Sequence, residues 1–232
     1  MLVDIFSCFD DNNMVFLSMY SMMWVLSVSG LSLLGFLFTP SSARSKQVFN
    51  MPNGIMFSQV ERTFGSQLGG FYLVMGGLFM FLILVNLCGL IPYVFSASSH
   101  LALSLALGLP FWLLLLISGT VYNPKSTVAA LLPMGAPAPL NPFLVLIETV
   151  SLLVRPLTLS VRLTANMSAG HIVLGLVGNF LTFAALSSPL SANTVVLLSI
   201  QVFYTIFEFA ICVIQAYIFC LLITLYSDEH SK

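Results

Sequence analysis

NPFLVLIETVSLLVRPLTLSVRLTANMSAGHIVLGLVGNFLTF, residues 141–183, decides the fold of this chain. It is apolar almost throughout, yet it carries Glu148, Arg155, Arg162 and His171. A helix rises about 1.5 Å per residue, so this stretch would span roughly 60 Å, about twice the hydrocarbon core of a bilayer. Asn141-Pro142 reads as the helix start, and Pro156 as an interruption. A second run, 190–226, has the same character and precedes the polar tail SDEHSK, residues 227–232. Ser187-Ser188-Pro189 reads as the turn between them. Helices this long must tilt strongly, kink, or lie partly along the membrane plane.

The rest of the chain agrees. Of 232 residues, 59% are hydrophobic and only 6% charged. Soluble domains carry about 25% charged residues, and a shell this apolar would expose large sticky patches in water. In lipid, every backbone polar group must be satisfied internally, which leaves helices or a closed barrel. The apolar runs are continuous rather than alternating, so we expect an all-α integral membrane protein. The N-terminal segment, 1–13, is acidic and resembles neither a secretory signal nor an Arg-rich transit peptide. Its absence of an import signal, with a Met- and Phe-rich composition, fits a chain encoded in an organelle.

Residues 14–38 are long enough for a first transmembrane helix. Residues 41–67 hold Arg44, Lys46, Glu61 and Arg62, and read as an amphipathic segment on the membrane surface. Within it, Ser58-Gln59-Val60-Glu61 matches a capping box at a helix start. Residues 69–95 and 100–122 read as two further spans, the latter kinked or broken at Pro110. Residues 123–140 form a Pro-rich loop. Arg44, Lys46, Arg62 and Lys125 fall on one side of the membrane, with Lys232, and the acidic N-terminus falls opposite.

Balanced charge, with seven basic and eight acidic side chains, offers no patch for nucleic acid. No Gly-rich phosphate loop is present, so no bound nucleotide is expected, and neither is a metal or cofactor. Cys8, Cys88, Cys212 and Cys220 lie far apart and read as reduced, buried residues. His100 and His230 read as solvated loop and tail residues.

Ionisable groups at lipid depth are costly, about 2.5–3.5 kcal/mol each on insertion scales, and default to functional candidates. At about 100° per residue, Arg155 lies within about 20° of Arg162, and Glu148 and Asn166 within about 40°. Small and polar residues, Ser151, Thr158 and Ala169, share that face and would let another helix approach. His171 points about 180° away from Arg162. In the last helix, Gln201, Glu208 and Gln215 recur every seven residues, flanked by Tyr204 and Cys212. Gln201 and Gln215 can equally be glue between helices.

Arg162 has no carboxylate within one turn of its own helix, so its partner must come from elsewhere. A guanidinium stays protonated under ordinary conditions. It can force a passing carboxylate to ionise, and it repels a proton moving straight through. The blander reading is a static ion pair or a snorkelling side chain. Arg155 stands beside Pro156, which would open the helix and let it reach headgroups. Glu208 and His171 suit proton transfer, because such groups can be tuned toward neutrality.

The segment SVRLTANMSAGH, Ser160 to His171, with QAYIF, Gln215 to Phe219, resembles subunit a of the F-type ATP synthase in its mitochondrially encoded animal form. ETVSLLVRP before it, LYSDEHSK at the end and FSCFDD near the start are similar too. The resemblance is strongest from Asn141 to Tyr226. It implies a hairpin of two steeply tilted helices against a rotating ring of c subunits, whose carboxylates meet Arg162. Asn166 and Gln215 would lie near that charge. His171 and Glu208 would form the polar pair of an inlet half-channel, and Glu148 would match an acidic half-channel position. Arg155, Gln201 and Tyr204 receive no firm role. The implied partners are the c-ring, the peripheral stalk, other small Fo subunits and the lipid bilayer. The implied location is the mitochondrial inner membrane, with the N-terminus toward the intermembrane space and the C-terminus in the matrix. A transporter with its own substrate site would show paired broken repeats, which the two halves lack. A plain membrane scaffold would have no need of Arg162.

Overall fold

A computed structural model of the chain describes residues 43–67, 69–91, 96–132, 140–188 and 191–228. The expected first span, 14–38, and the acidic segment 1–13 lie outside these residues, as do 133–139 of the Pro-rich loop. All described elements are helical: α1 Ala43–Glu61, α2 Phe71–Gly89, α3 Leu101–Tyr122, α4 Pro124–Ala130, α5 Asn141–Ser187 and α6 Ala192–Asp228. Short 3-10 turns occupy Phe64–Gln67 and Ala97–Ser99. Among the described residues, α2, α3, α5 and α6 are the four helices long and apolar enough to cross a membrane. At about 1.5 Å per residue, α5 is roughly 70 Å long and α6 roughly 55 Å, so both exceed the bilayer core.

Several local expectations are corrected. Pro156 does not interrupt α5, and Pro110 does not break α3. A proline removes one backbone donor, but in lipid the remaining helix bonds have no water competing for them. Ser160, one turn beyond Pro156, donates its hydroxyl to the Pro156 carbonyl at 3.0 Å.

The Ser58–Glu61 element is not a helix start. It is the last turn of α1, and Ser58 Oγ donates back to the Ile55 carbonyl at 2.9 Å. The pattern caps nothing, because the helix ends at Glu61 and none begins at Ser58. The stretch 123–140 is not all loop, because Asn123-Pro124 opens α4. Asn123 Oδ1 accepts from the Ser126 N–H at 3.5 Å and proline takes the first helical position.

The loop at 96–100 is buried rather than solvated. Ser96, Ala97, Ser98 and Ser99 are all buried, and His100 is half-buried. The Ser96 and Ser99 hydroxyls bond each other at 2.9 Å, and Ser99 also donates to the Ser96 carbonyl at 2.6 Å. The Ser99 and His100 N–H groups also find carbonyls within the turn, at Ser96 and Ala97, which helps to offset its burial.

The described residues group into two compact units. One gathers Phe81–His100 with Thr164–Ala216. Its core holds Leu82, Val85, Met167 and Cys212, with Asn86 donating to the Cys212 carbonyl at 3.4 Å. The Cys212 thiol lies 3.5 Å from the Met167 sulfur. The other gathers Val48–Met80 with Leu101–Leu163 and residues 217–228. Its core holds Met56, Met75, Phe79, Leu159, Leu163 and Phe219. There Gly108 of α3 lets the backbone come close to α5. A Cβ on it would meet Leu159 Cδ2 at 3.2 Å and the Pro156 carbonyl at 3.7 Å. Cys88, Cys212 and Cys220 are free thiols.

Candidate functional site

In the first unit the polar residues of α5 and α6 meet directly. Asn166 Nδ2 on α5 donates to Gln215 Oε1 on α6 at 2.8 Å. Gln215 is only 4% exposed, so this bond satisfies a group that lipid could not. The bond ties the two helices together at that level.

Glu208 lies one full seven-residue step before Gln215 and is 2% exposed. Its carboxylate packs against the bare backbone of Gly170, where any Cβ would overlap its oxygens. Tyr204 stands one turn earlier on α6, close to the same carboxylate. Glycine at 170 therefore lets the carboxylate lie directly against the helix backbone, and any larger residue would displace it. His171 follows Gly170 directly and is half-buried. Gln201 is half-buried too, with its carbonyl oxygen buried and without a hydrogen-bond partner among the described residues.

The second unit holds the charged residues of the first half of α5. Pro156, Leu159, Ser160 and Leu163 turn inward and are buried. The 3.6-residue period then sends Leu157, Thr158, Val161 and Arg162 outward, and all four are exposed. Among the described residues Arg162 makes no ion pair and no hydrogen bond. It sits about 30 Å along a helix of roughly 70 Å, far from either end.

Arg155 is placed differently from the headgroup-seeking side chain expected beside Pro156. Its Nη2 lies 3.6 Å from Glu148 Oε1, two turns back on α5, and its side chain is only 21% exposed. The guanidinium also sits 5.3 Å from the centre of the Tyr226 ring, near the end of α6. That distance is within cation–π range. The unbroken helix explains the difference: with no opening at Pro156, Arg155 is held over its own helix face.

Two residues escaped the sequence reading. Gly170 carried a signal, since a glycine preceding His171 in a polar helix marks a close approach. Tyr226 carried only its place at a helix end.

This arrangement can hand protons on and can hold a fixed charge. Carboxyl and imidazole side chains such as those of Glu208 and His171 have the chemistry to take up and release protons, whereas the guanidinium of Arg162 does not. The comparisons with known proteins agree in scope. The model of the family described as ATP synthase A chain matches residues 13–228. The chain is 37% identical over 233 residues to the ATP synthase subunit a of Anopheles quadrimaculatus, covering 99% of each. It is 50% identical over 147 residues to that of Albinaria caerulea, covering 62% of this chain and 66% of the relative. It is 43% identical over 158 residues to the ATP synthase F(0) complex subunit a of Struthio camelus, covering 68% and 69%. A match that runs through every described helix, together with four apolar helices and a polar seam between the last two, leaves one conclusion: this chain belongs to the ATP synthase A chain family.

Proposed function

We propose that this chain is the proton-translocating stator subunit of the Fo sector of ATP synthase, a multi-pass protein of the mitochondrial inner membrane. As a member of its family it assembles there with other Fo subunits. The observation that carries the reading is Arg162. It is a permanent cation, exposed on the outer face of an apolar helix, with no acid of the described chain to pair with. Hydrocarbon does not solvate such a charge, and in this reading a neighbouring subunit supplies the acid.

In this reading the acids belong to a ring of c subunits. Each ring carboxylate that faces Arg162 is forced to give up its proton, because an adjacent cation stabilises the charged form. Protons reach the ring by way of His171 and Glu208 and leave by a second half-channel that includes Glu148. Asn166 and Gln215 keep the two long helices in register beside the ring. The fixed charge of Arg162 bars a direct leak between the half-channels. Each proton crossing the membrane field contributes about 2.3 kcal/mol per 100 mV, which turns the ring. The basic loops and Lys232 then face the matrix, and the N-terminus the intermembrane space.

Replacing Arg162 with Ala tests this. The expected result is an assembled complex that no longer makes ATP from a proton gradient. Synthesis at the normal rate would overturn the reading. Loss of the subunit from the membrane, with no assembled complex to assay, would instead favour a scaffold.

A further inference from the structure

The second unit contains a cavity of about 650 Å³ with apolar walls from Trp112, Leu116 and Leu152. Glu148, Arg155 and Tyr226 add three larger polar groups to its lining, beside the hydroxyls of Thr120, Thr127 and Thr149. The three polar groups are linked in a row: the Glu148 carboxylate to the Arg155 guanidinium, and the guanidinium to the face of the Tyr226 ring. Glu148 is the most exposed of the ion pair, at 40%, and Arg155 is largely covered. The ring comes from the far end of another helix, so the row ties α5 to the last turns of α6.

A glutamate on a helix surface has several rotamers and would lose entropy by settling in one. A planar guanidinium stacked on an aromatic ring is held in place and presents its N–H groups in one direction. We propose that Arg155 is a positioning residue: seated on Tyr226, it fixes the carboxylate of Glu148 at the wall of this cavity. In this role Arg155 passes no proton, because a guanidinium stays protonated. It acts through Glu148, so the inference rests on the reading that Glu148 belongs to a half-channel. The cavity supplies room for water beside the one carboxylate in its lining, and Arg155 determines where that carboxylate stands.

The test compares ATP synthesis per assembled complex, driven by an imposed gradient in inner-membrane vesicles. The variants are Glu148→Gln, Arg155→Met, Arg155→Lys and the double variant Glu148→Gln/Arg155→Met. We expect Glu148→Gln and Arg155→Met each to slow synthesis by about tenfold, equivalent to one ordinary polar interaction at the rate-limiting step. Arg155→Lys should retain most of the rate. The double variant should be no slower than Glu148→Gln alone, because a residue acting only through Glu148 has nothing left to position. Multiplying losses in the double variant would overturn the proposal, as would Arg155→Lys no better than Arg155→Met. Arg155→Met at full rate beside a slow Glu148→Gln also overturns it. Glu148→Gln at full rate removes the half-channel reading instead. If Arg155→Met does not assemble, Tyr226→Leu, which takes away the seat from the opposite side, replaces it in the same cycle with the same expected outcomes.

Discussion

Asn166 and Gln215 form a 2.8 Å amide-to-amide bond between α5 and α6, with Gln215 almost completely buried. Neither residue carries charge, so the bond does not move protons; it sets how the two long helices lie against each other. Replacing Asn166 with Leu strands a buried amide and should cost about 1–3 kcal/mol of stability. The double variant Asn166→Leu/Gln215→Leu should recover part of that loss, since no polar group is left without a partner. Thermal unfolding of the purified complex in detergent measures both. Equal stability of the single and double variants would mean the bond holds nothing.

Gly170 and Glu208 predict a compensating pair. Gly170→Ala should push the carboxylate aside and slow proton-driven ATP synthesis on the order of tenfold, as small displacements at a reacting group do. Adding Glu208→Asp shortens the side chain by one methylene and should restore part of the rate. A normal rate for Gly170→Ala would show that the proton route avoids this carboxylate.

Arg162→Lys keeps the charge but loses the planar fork of donors. Assembly should be unchanged, while synthesis should fall at least about tenfold, because a single ammonium cannot hold a carboxylate with two parallel bonds. Rates close to normal would show that charge alone suffices and that a two-bond contact with the ring carboxylate is not needed.

Two glycines should answer the same substitution with opposite signs. Gly65 is buried, and a Cβ there would meet Ser227 Oγ at 2.5 Å and Phe71 Cε1 at 2.8 Å. Gly65→Ala should therefore destabilise by about 1–3 kcal/mol. Gly54 lies inside α1, exposed, with nothing within 4 Å of a new Cβ. Gly54→Ala should stabilise by about 0.5–1 kcal/mol through helix propensity alone. Melting temperatures of the two variants decide both.

The all-helical membrane class was legible because apolar runs of this length leave no other satisfied backbone. The polar seam was legible too, since seven-residue spacing placed Glu208 and Gln215 on one helix face. The outcome at Pro156 was not legible. Whether a proline breaks a helix depends on what competes for the freed carbonyl, and a sequence does not state the solvent at each residue. The start of α1 was misread because a capping pattern is local, whereas Ser58 lies in the last turn of a helix that begins at Ala43. The Arg155–Tyr226 contact joins residues distant in the chain, and only coordinates bring such residues together.

Arg162 stands on the outside of a greasy rod, so a lone copy of this polypeptide is an unfinished object. Until its companions arrive it drags a naked charge through oil, pulling water and headgroups inward. If the proposed role holds, production of this gene product must keep pace with that of its companions, and any surplus is a natural substrate for membrane quality-control proteases.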